Sequence, residues 1–333
     1  MLHDIAVSAG MAASIIKCAA EKGVDAAPIA RACGLDPRDF GQINKKLNLP
    51  NLCRLLEALA ALTGDPYFGL HAGAAFEKGA SGVLGYALMH APTVKHAVDL
   101  VRECFQKVDT STQYNFTVSD SETRIEWSLS PLVVRRNQYT DLAFVAVIAH
   151  FRLMLGPGFQ RVRTEIETPK PKNPNVYKEL IAKNIRFGAP VNSFTVPNDE
   201  LDRPNPDADP RLFAILRDQL DGMPELDGHG PAPIQSIRRI VEHSLGGPQP
   251  TLAELAGKIG MSERTLQRRL AECGSSLHDI VDQSRRDLAE QLLVETDLSL
   301  SQISERLGFS APSAFTRSAS RWFGKPPSKL RRH

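Results

Sequence analysis

The sequence is poor in the residues and patterns on which most chemistry depends. Its five cysteines (Cys18, Cys33, Cys53, Cys104 and Cys273) are odd in number and scattered, and no two stand in CxxC spacing. That argues against a disulfide framework or a cysteine-based metal site and implies reduced thiols in a cytoplasmic protein. No stretch reads GxSxG, GxGxxG, HExxH or as a P-loop. The nucleophile elbow, dinucleotide turn, zincin helix and phosphate cradle therefore all lack their defining residues. The nine histidines are dispersed. His90 and His96 stand six apart and so lie on different faces of a helix, a poor metal pair. His150 falls in an apolar helical run, where a satisfied core residue is the expected reading. No window approaches about 18 uninterrupted apolar residues, so no membrane span is read. The opening MLHDIAVSAGMAASIIKCAAEKG lacks a basic segment followed by a long apolar run, which leaves no export signal. The expectation is a protein that is not an enzyme and needs no metal or cofactor.

An excess of one charge is also missing from the whole, but not from its parts. The net charge is +2, from 40 Lys+Arg and 38 Asp+Glu. Residues 231–333 hold 15 of the basic and 11 of the acidic residues, a net of +4, which leaves 25 and 27 for residues 1–230, a net of −2. A basic excess confined to the C-terminal third favours a polyanion there. With 333 residues, 42% apolar and 23% charged, the chain has ordinary globular composition and about two domains' length.

Periodicity divides the chain. Residues 1–75 read as helical, with apolar stripes closed by Gly in ASIIKCAAEKG, PIARACG and NLCRLLEALAALTG. Residues 81–108 continue the pattern, with Val94, Ala97, Val98 and Val101 at helical spacing. QYNFTVSDSETRIEWSLS then alternates at period two on both sides of SDSE, with Tyr114, Phe116 and Val118 on one arm and Ile125, Trp127 and Leu129 on the other. That pattern predicts a hairpin. A strongly apolar helix follows in TDLAFVAVIAHFRLMLGPG, and RVRTEIETP and VNSFTVPND read as further strands. PNPDADP at 204–210 and the Pro-, Gly- and Asp-rich segment 221–233 interrupt regular structure, the second as a linker. Beyond it the chain is helical to its end.

The last hundred residues contain themselves twice. Leu252, Ile259, Gly260 and Ser262 match Leu300, Leu307, Gly308 and Ser310 at an offset of 48, Leu266 matches Phe315 at 49, and Gly274 matches Gly324 at 50. Each copy, 251–273 and 299–323, has the layout of a helix-turn-helix. A short amphipathic helix ends in a Gly turn, and Ser262 offers an N-cap for a second helix that buries Leu266 and Leu270. Arg264, Gln267 and Arg268 then project elsewhere, suited to guanine and adenine edges in a major groove. In the second copy Phe315 is the core anchor, with Ser313, Thr316 and Arg317 outward. Arg269, Arg321 and Lys325 fit phosphate contacts or solvated charges. Between the copies, Ile280, Ser284, Leu288 and Leu292 mark one face of a helix about 30 Å long, close to the roughly 34 Å of one B-DNA turn.

These motifs resemble the DNA-binding domain of AraC/XylS-type transcriptional regulators. LAELAGKIGMSERTLQRRLAECG, the R-x-x-L-A-x-x-L-L run at Arg285 to Leu293, and ISERLGFSAPSAFTRSASRWFGKPPSKLR carry the resemblance. Ala319 stands where the family usually has Phe, which predicts looser packing of the second recognition helix. Ala311-Pro312-Ser313 carries little base-reading chemistry, so the second copy is expected chiefly to hold phosphates. GVLGYALMHAPTVKHAVDLVRECF, the hairpin, the apolar helix, FGAPVNSF and PNPDADPRL are similar, in that order, to the ligand-sensing domain of one subset of the family. The resemblance implies an α+β N-terminal sensory domain over 1–220, a linker at 221–233, and an all-α DNA-binding domain over 234–333 with two helix-turn-helix motifs joined by a long helix. It further implies a bacterial, cytoplasmic homodimer that binds double-stranded promoter DNA, responds to a small-molecule effector and activates transcription with RNA polymerase. Tyr114, Phe116 and Trp127 are the candidate effector contacts, although aromatics on an alternating strand equally suit a core. Arg124, Arg135 and Arg136 fit surface charges better than an acidic effector's partners. The competing expectation is a small-molecule-binding or enzymatic N-terminal domain whose C-terminal helices bind protein without specific DNA recognition.

Overall fold

The structure, a computed structural model, describes residues 5–42, 45–77, 79–109, 111–223 and 232–331. The chain divides into two compact units, the first within Ile5–Leu129 and Arg135–Leu226 and the second built chiefly from Asp227–His333.

The N-terminal unit is α+β. Two short strands, β1 (Ala6–Ser8) and β2 (Lys46–Asn48), pair antiparallel with Ala6 opposite Asn48. The all-helical reading of residues 1–75 is corrected here: three residues are too few for a periodic signal, and only a partner about forty positions away makes them strands. Helices Ala12–Glu21, Ala26–Ala32, Leu49–Thr63 and Phe68–Ala74 fill the rest of that stretch. Residues 81–108 form two helices, Gly82–His90 and Val94–Cys104. Pro92 disfavours helical geometry in the residue before it, and the Thr93 hydroxyl accepts from His96 N to start the second helix.

The main sheet contains β3 (Thr112–Val118), β4 (Glu122–Leu129), β5 (Arg163–Ile166), β6 (Ile185–Phe187) and β7 (Asn192–Pro197). Its order is β3-β4-β7-β5-β6, antiparallel except for the β5–β6 pair. The hairpin forms as read, with Tyr114 opposite Trp127 and Phe116 opposite Ile125. Ile125, Trp127 and Leu129 are buried, whereas Val118 beside the hairpin turn is 63% exposed. β6, with only the three residues IRF, is too short to show a period in the sequence.

The apolar helix Asn137–Leu155 is the spine of this unit. The segment Asn137–Arg161 is long and apolar enough to cross a membrane, yet more than half of its most apolar stretch is buried inside the protein. Its first turns carry buried polar groups. Gln138 accepts a hydrogen bond from Gly69 N at 2.6 Å and donates to Pro66 O at 3.0 Å. Asp141 accepts from the Tyr177 hydroxyl at 2.6 Å. Burial pushes the Asp141 carboxyl up to about 7, Tyr177 opposes this, and the Glu57 charge adds to it. An acid with a raised folded pKa suits the folded state while it is protonated. Its destabilising effect is absent below the unfolded pKa of about 3.9, grows as pH rises, and is complete above about 7. Asp141→Asn should therefore flatten the fall in melting temperature between about pH 4 and 7, a span worth up to about 4 kcal/mol at about 1.36 kcal/mol per pH unit. An unchanged pH profile in the variant would refute this.

PNPDADP breaks the chain as expected, but its last residues also begin a helix. Asp209 caps Pro210–Gly222 by accepting from Arg211 N and Leu212 N, and Pro at the first helical position has the fixed φ a helix needs. That helix runs through Gly222, and the next begins at Ala232. The sequence-drawn linker 221–233 thus overlaps helix ends on both sides, and its middle, 224–231, lies outside the described residues.

The C-terminal unit contains only helices and turns among its described residues. Ala232–His243 leads into Leu252–Lys258, Glu263–Glu272, Leu277–Glu295, Leu300–Arg306 and Pro312–Phe323. Ile237, Val241, Leu255, Ala256, Leu266, Leu270 and Ile280 form one core around the first motif. Ala232–His243, which has no place in the repeat, closes that core.

Candidate functional site

Two places can carry function: the paired motifs of the C-terminal unit and a cavity inside the N-terminal unit. Each motif opens with a capping box. Thr251 N donates to Glu254 Oε2 at 2.7 Å while Glu254 N donates to Thr251 Oγ1 at 3.2 Å. Ser299 N and Gln302 Oε1 repeat the arrangement at 2.8 Å. The boxes stand 48 residues apart, the offset read from the sequence, and T-x-x-E and S-x-x-Q are their sequence signature. Each first helix ends in a left-handed glycine, Gly260 at φ 69° and Gly308 at φ 70°. Any other L-residue is strained there.

The copies then diverge by one residue. Ser262 caps Glu263–Glu272 by accepting from Thr265 N. Its sequence match, Ser310, does not cap. Ala311 takes the N-cap position, without a side-chain hydrogen bond, and Pro312 begins the helix. The extra turn residue explains the drift from 48 to 49. At offset 49 Leu266 corresponds to Phe315 and Leu270 to Ala319, and all four are buried. The looser packing expected from Ala319 is not seen: Pro312–Phe323 is unbroken, and Phe309 supplies aromatic bulk against Phe315 and Trp322, with ring centroids 5.9 and 6.1 Å apart.

Arg264, Gln267, Arg268 and Arg269 are all exposed on Glu263–Glu272. Arg268 stands 3.7 Å from Glu272 in an exposed pair, which holds it weakly. At offset 49 Ser313, Thr316 and Arg317 occupy the places of Arg264, Gln267 and Arg268. Ser313 and Arg317 are exposed, and Thr316 is partly buried with its hydroxyl donating to Pro312 O at 3.0 Å. Arg321 behaves differently, pairing with Asp282 of Leu277–Glu295 at 2.6 Å, where the Trp322 indole N–H also donates to Asp282 at 2.9 Å. Asp282 thereby pins the last turn of the second motif to the long helix.

Arg285 makes the second such tie. Its guanidinium donates to Leu307 O at 2.9 Å and Gly308 O at 3.2 Å and lies 4.9 Å over the Phe309 ring. It satisfies carbonyls left free at the end of Leu300–Arg306. Burial lowers the Arg285 pKa, and Asp282 opposes that. The sequence showed Arg285 only as the first letter of a motif, because its partners are backbone carbonyls 22 and 23 residues away.

The cavity lies between the sheet and helices Gly82–His90, Val94–Cys104 and Asn137–Leu155 of the N-terminal unit. Tyr114 and Phe116 of β3, Ile125 and Trp127 of β4 and Phe194 of β7 form one wall. Ala97, Val98 and Val101 of Val94–Cys104, with Ala143, Ala146, Val147 and His150 of the spine, form others. All three aromatic candidates thus face one space, as does His150, whose Nδ1 is 2.9 Å from Ala146 O. Arg124, Arg135 and Arg136 do not line it. Arg124 instead pairs with Glu126 and Glu165, and Arg136 donates to Leu129 O. Asp109, also in the wall, accepts from Ser111 N and Oγ, both at 2.6 Å. Burial raises its pKa, and the Ser111 hydrogen bonds and the Lys46 charge oppose that. Among the described residues the Trp127 Nε1–H has no hydrogen-bond acceptor.

The family model for the arabinose-binding N-terminal domain of AraC transcription regulators matches residues 23–205, and a helix-turn-helix domain model matches 255–333. The chain belongs to the AraC-type transcription regulators. Curated relatives are similar from end to end. The ornithine utilization regulator of Pseudomonas aeruginosa is 24% identical over 98% of this chain and 96% of its own length. The regulator VirS of Mycobacterium tuberculosis is 28% identical over 93% and 92%. The crystal structure of CdpR from Pseudomonas aeruginosa aligns at 25% identity over 82% of this chain and 90% of its own, with a TM-score of 0.38. By its own elements and the two family models, the AraC-type regulator joins a helix-and-sheet N-terminal domain to an all-helical DNA-binding domain, as the sequence pattern indicated.

Proposed function

We propose that this regulator reads two successive major grooves on one face of promoter DNA and is controlled by a small molecule bound in the N-terminal cavity. The carrying observation is the duplicated motif. Two helices begin after like turns, bury equivalent residues, and present Arg264, Gln267 and Arg268, and then Ser313, Thr316 and Arg317, at equivalent positions. The 19 residues of Leu277–Glu295 span about 28 Å, against about 34 Å for a turn of B-DNA. Arg285 and Asp282 tie the second motif to that helix, and modest DNA bending accommodates the difference. Arg264 and Arg268 contact bases. Arg269 contacts phosphate, and Arg321 serves phosphate only at the expense of its Asp282 pair. Action as a cytoplasmic homodimer that activates through RNA polymerase belongs to the same reading and rests on the family resemblance. No catalytic step is assigned.

The test is fluorescence anisotropy with DNA from upstream of the regulator's own and neighbouring genes, at physiological salt. Arg264→Ala and Arg268→Ala should each cost about 1–3 kcal/mol and relax preference at one base, whereas Arg269→Ala should weaken all sequences alike and reduce the salt slope by about 1. Binding without sequence preference, or a double variant that binds like the parent, would sink the reading.

A further inference from the structure

We infer that the cavity takes an uncharged, ring-bearing, mainly apolar compound with one hydrogen-bond acceptor for Trp127, rather than a sugar or an amino acid. This rests on the reading of the cavity as the effector site, and it names the class of effector. The space open to the centre of a water-sized sphere is about 120 Å³. One water needs about 10–15 Å³ of such space, so a compound of about ten heavy atoms fits. Its walls are aromatic and aliphatic, with Phe105 edge-on to Tyr114 at 4.7 Å and Phe151 against Phe194 at 4.6 Å. Such walls favour a flat ring.

Charge is excluded by what the walls lack and by what they have spent. Among the described residues no Lys or Arg lines the cavity, so a carboxylate would be desolvated without a cation. The one carboxyl there, Asp109, is already taken up by Ser111, which leaves it a poor partner for an ammonium group. Two further polar atoms of the wall are also engaged: the Tyr139 hydroxyl lies on Met11 Sδ at 3.8 Å, and His150 Nδ1 lies near Ala146 O. A polyhydroxyl compound would lose water at every carbon and recover few partners. Trp127 offers a donor to a ligand. It is 3% exposed, its Nε1 can only donate, and no protein acceptor meets it. A ligand carbonyl or ether that reaches it gains a hydrogen bond.

Calorimetric titration and thermal melting of the full-length protein test this with five probes of similar size. Acetophenone has the ring and the acceptor, benzoate the same shape with a charge, and α-methylstyrene the same shape without an acceptor. L-Arabinose is polyhydroxylated, and L-ornithine is charged at both ends. Acetophenone should bind and raise the melting temperature. α-Methylstyrene should bind about 2- to 12-fold more weakly, the range of one neutral hydrogen bond. Benzoate should bind at least about tenfold more weakly, and the last two should not bind. Trp127→Phe should erase the difference between acetophenone and α-methylstyrene, and Ala143→Phe, which fills the space, should abolish binding of both. The probe series on the unaltered protein decides the class even if a variant misfolds. Benzoate, arabinose or ornithine binding as well as acetophenone, or no probe binding, overturns the inference. So does a Trp127→Phe protein that still prefers acetophenone. Operator affinity measured with acetophenone separates the two readings. Acetophenone binding that leaves DNA affinity unchanged supports the ligand class and counts against effector control. Arabinose or ornithine binding that shifts DNA affinity does the reverse.

Discussion

Phe315→Ala should melt the second helix-turn-helix while leaving the first intact, and should shorten the protected DNA to one groove. Phe315 is fully buried. Its neighbour one turn later is Ala319, where the first motif has Leu270, so Phe315 is the one large side chain that Pro312–Phe323 buries fully in the second core. Truncating a buried Phe to Ala costs about 3–5 kcal/mol, against a whole-domain stability of about 5–15 kcal/mol. The first motif is spared because its core draws on Ile237, Val241 and Ile280 outside its own two helices. Hydrogen exchange should show lost protection over Leu300–Arg306 and Pro312–Phe323 and kept protection over Leu252–Lys258 and Glu263–Glu272. Footprinting should show one protected groove where the parent shows two. A full-length footprint together with unchanged exchange would refute the account.

Gly69→Ala should destabilise the N-terminal unit by several kcal/mol while leaving the DNA-binding helices intact. A Cβ at Gly69 would sit 2.0 Å from Gln138 O and 2.8 Å from its Cα, and one at Gly73 would sit 2.7 Å from Leu142 O. These are backbone atoms of the spine, so no side-chain rotation relieves the clash, and Phe68–Ala74 must move away from Asn137–Leu155. Overpacking a close contact costs about 1–3 kcal/mol, occasionally more. Separation would also break the Gly69 N–Gln138 Oε1 hydrogen bond, leaving a buried amide unpaired at a further cost of about 1–3 kcal/mol. Gly23→Ala is the control. Nothing lies within 4 Å of its Cβ position, and only its φ of +77° is strained, so its loss should be smaller. Equal melting temperatures for Gly69→Ala and the parent would show that the helices can part freely.

Legibility followed the range of the interactions. The helix-turn-helix copies were readable because the features that mark them are local: caps three residues from their partners, a left-handed glycine at each turn, and apolar residues four apart on one face. The hairpin was readable because alternation is a local signal and its turn is short. β1, β2 and β6 were not, since three residues have no period of their own and become strands only when a distant segment supplies hydrogen bonds. The linker was misplaced at its edges because Pro and Gly mark helix ends as readily as loops. The aromatics of β3 and β4 were ambiguous between core and pocket, because alternation says which residues face inward and not whether anything fills the space they face.

The sequence by itself determined the class of the protein, its order of domains, the duplicated DNA-reading motif and which side chains of that motif point away from its core. The class and the domain order follow from the resemblance its motifs carry, the duplication and the outward side chains from spacing along one chain. Only the tertiary structure decided that Arg285 and Asp282 fasten the second motif to the long helix, that Gly69 and Gly73 admit the spine, and that Tyr114, Phe116 and Trp127 share one cavity with an unanswered donor. Those depend on which distant segments meet, and the meeting is set by packing, which no local pattern records.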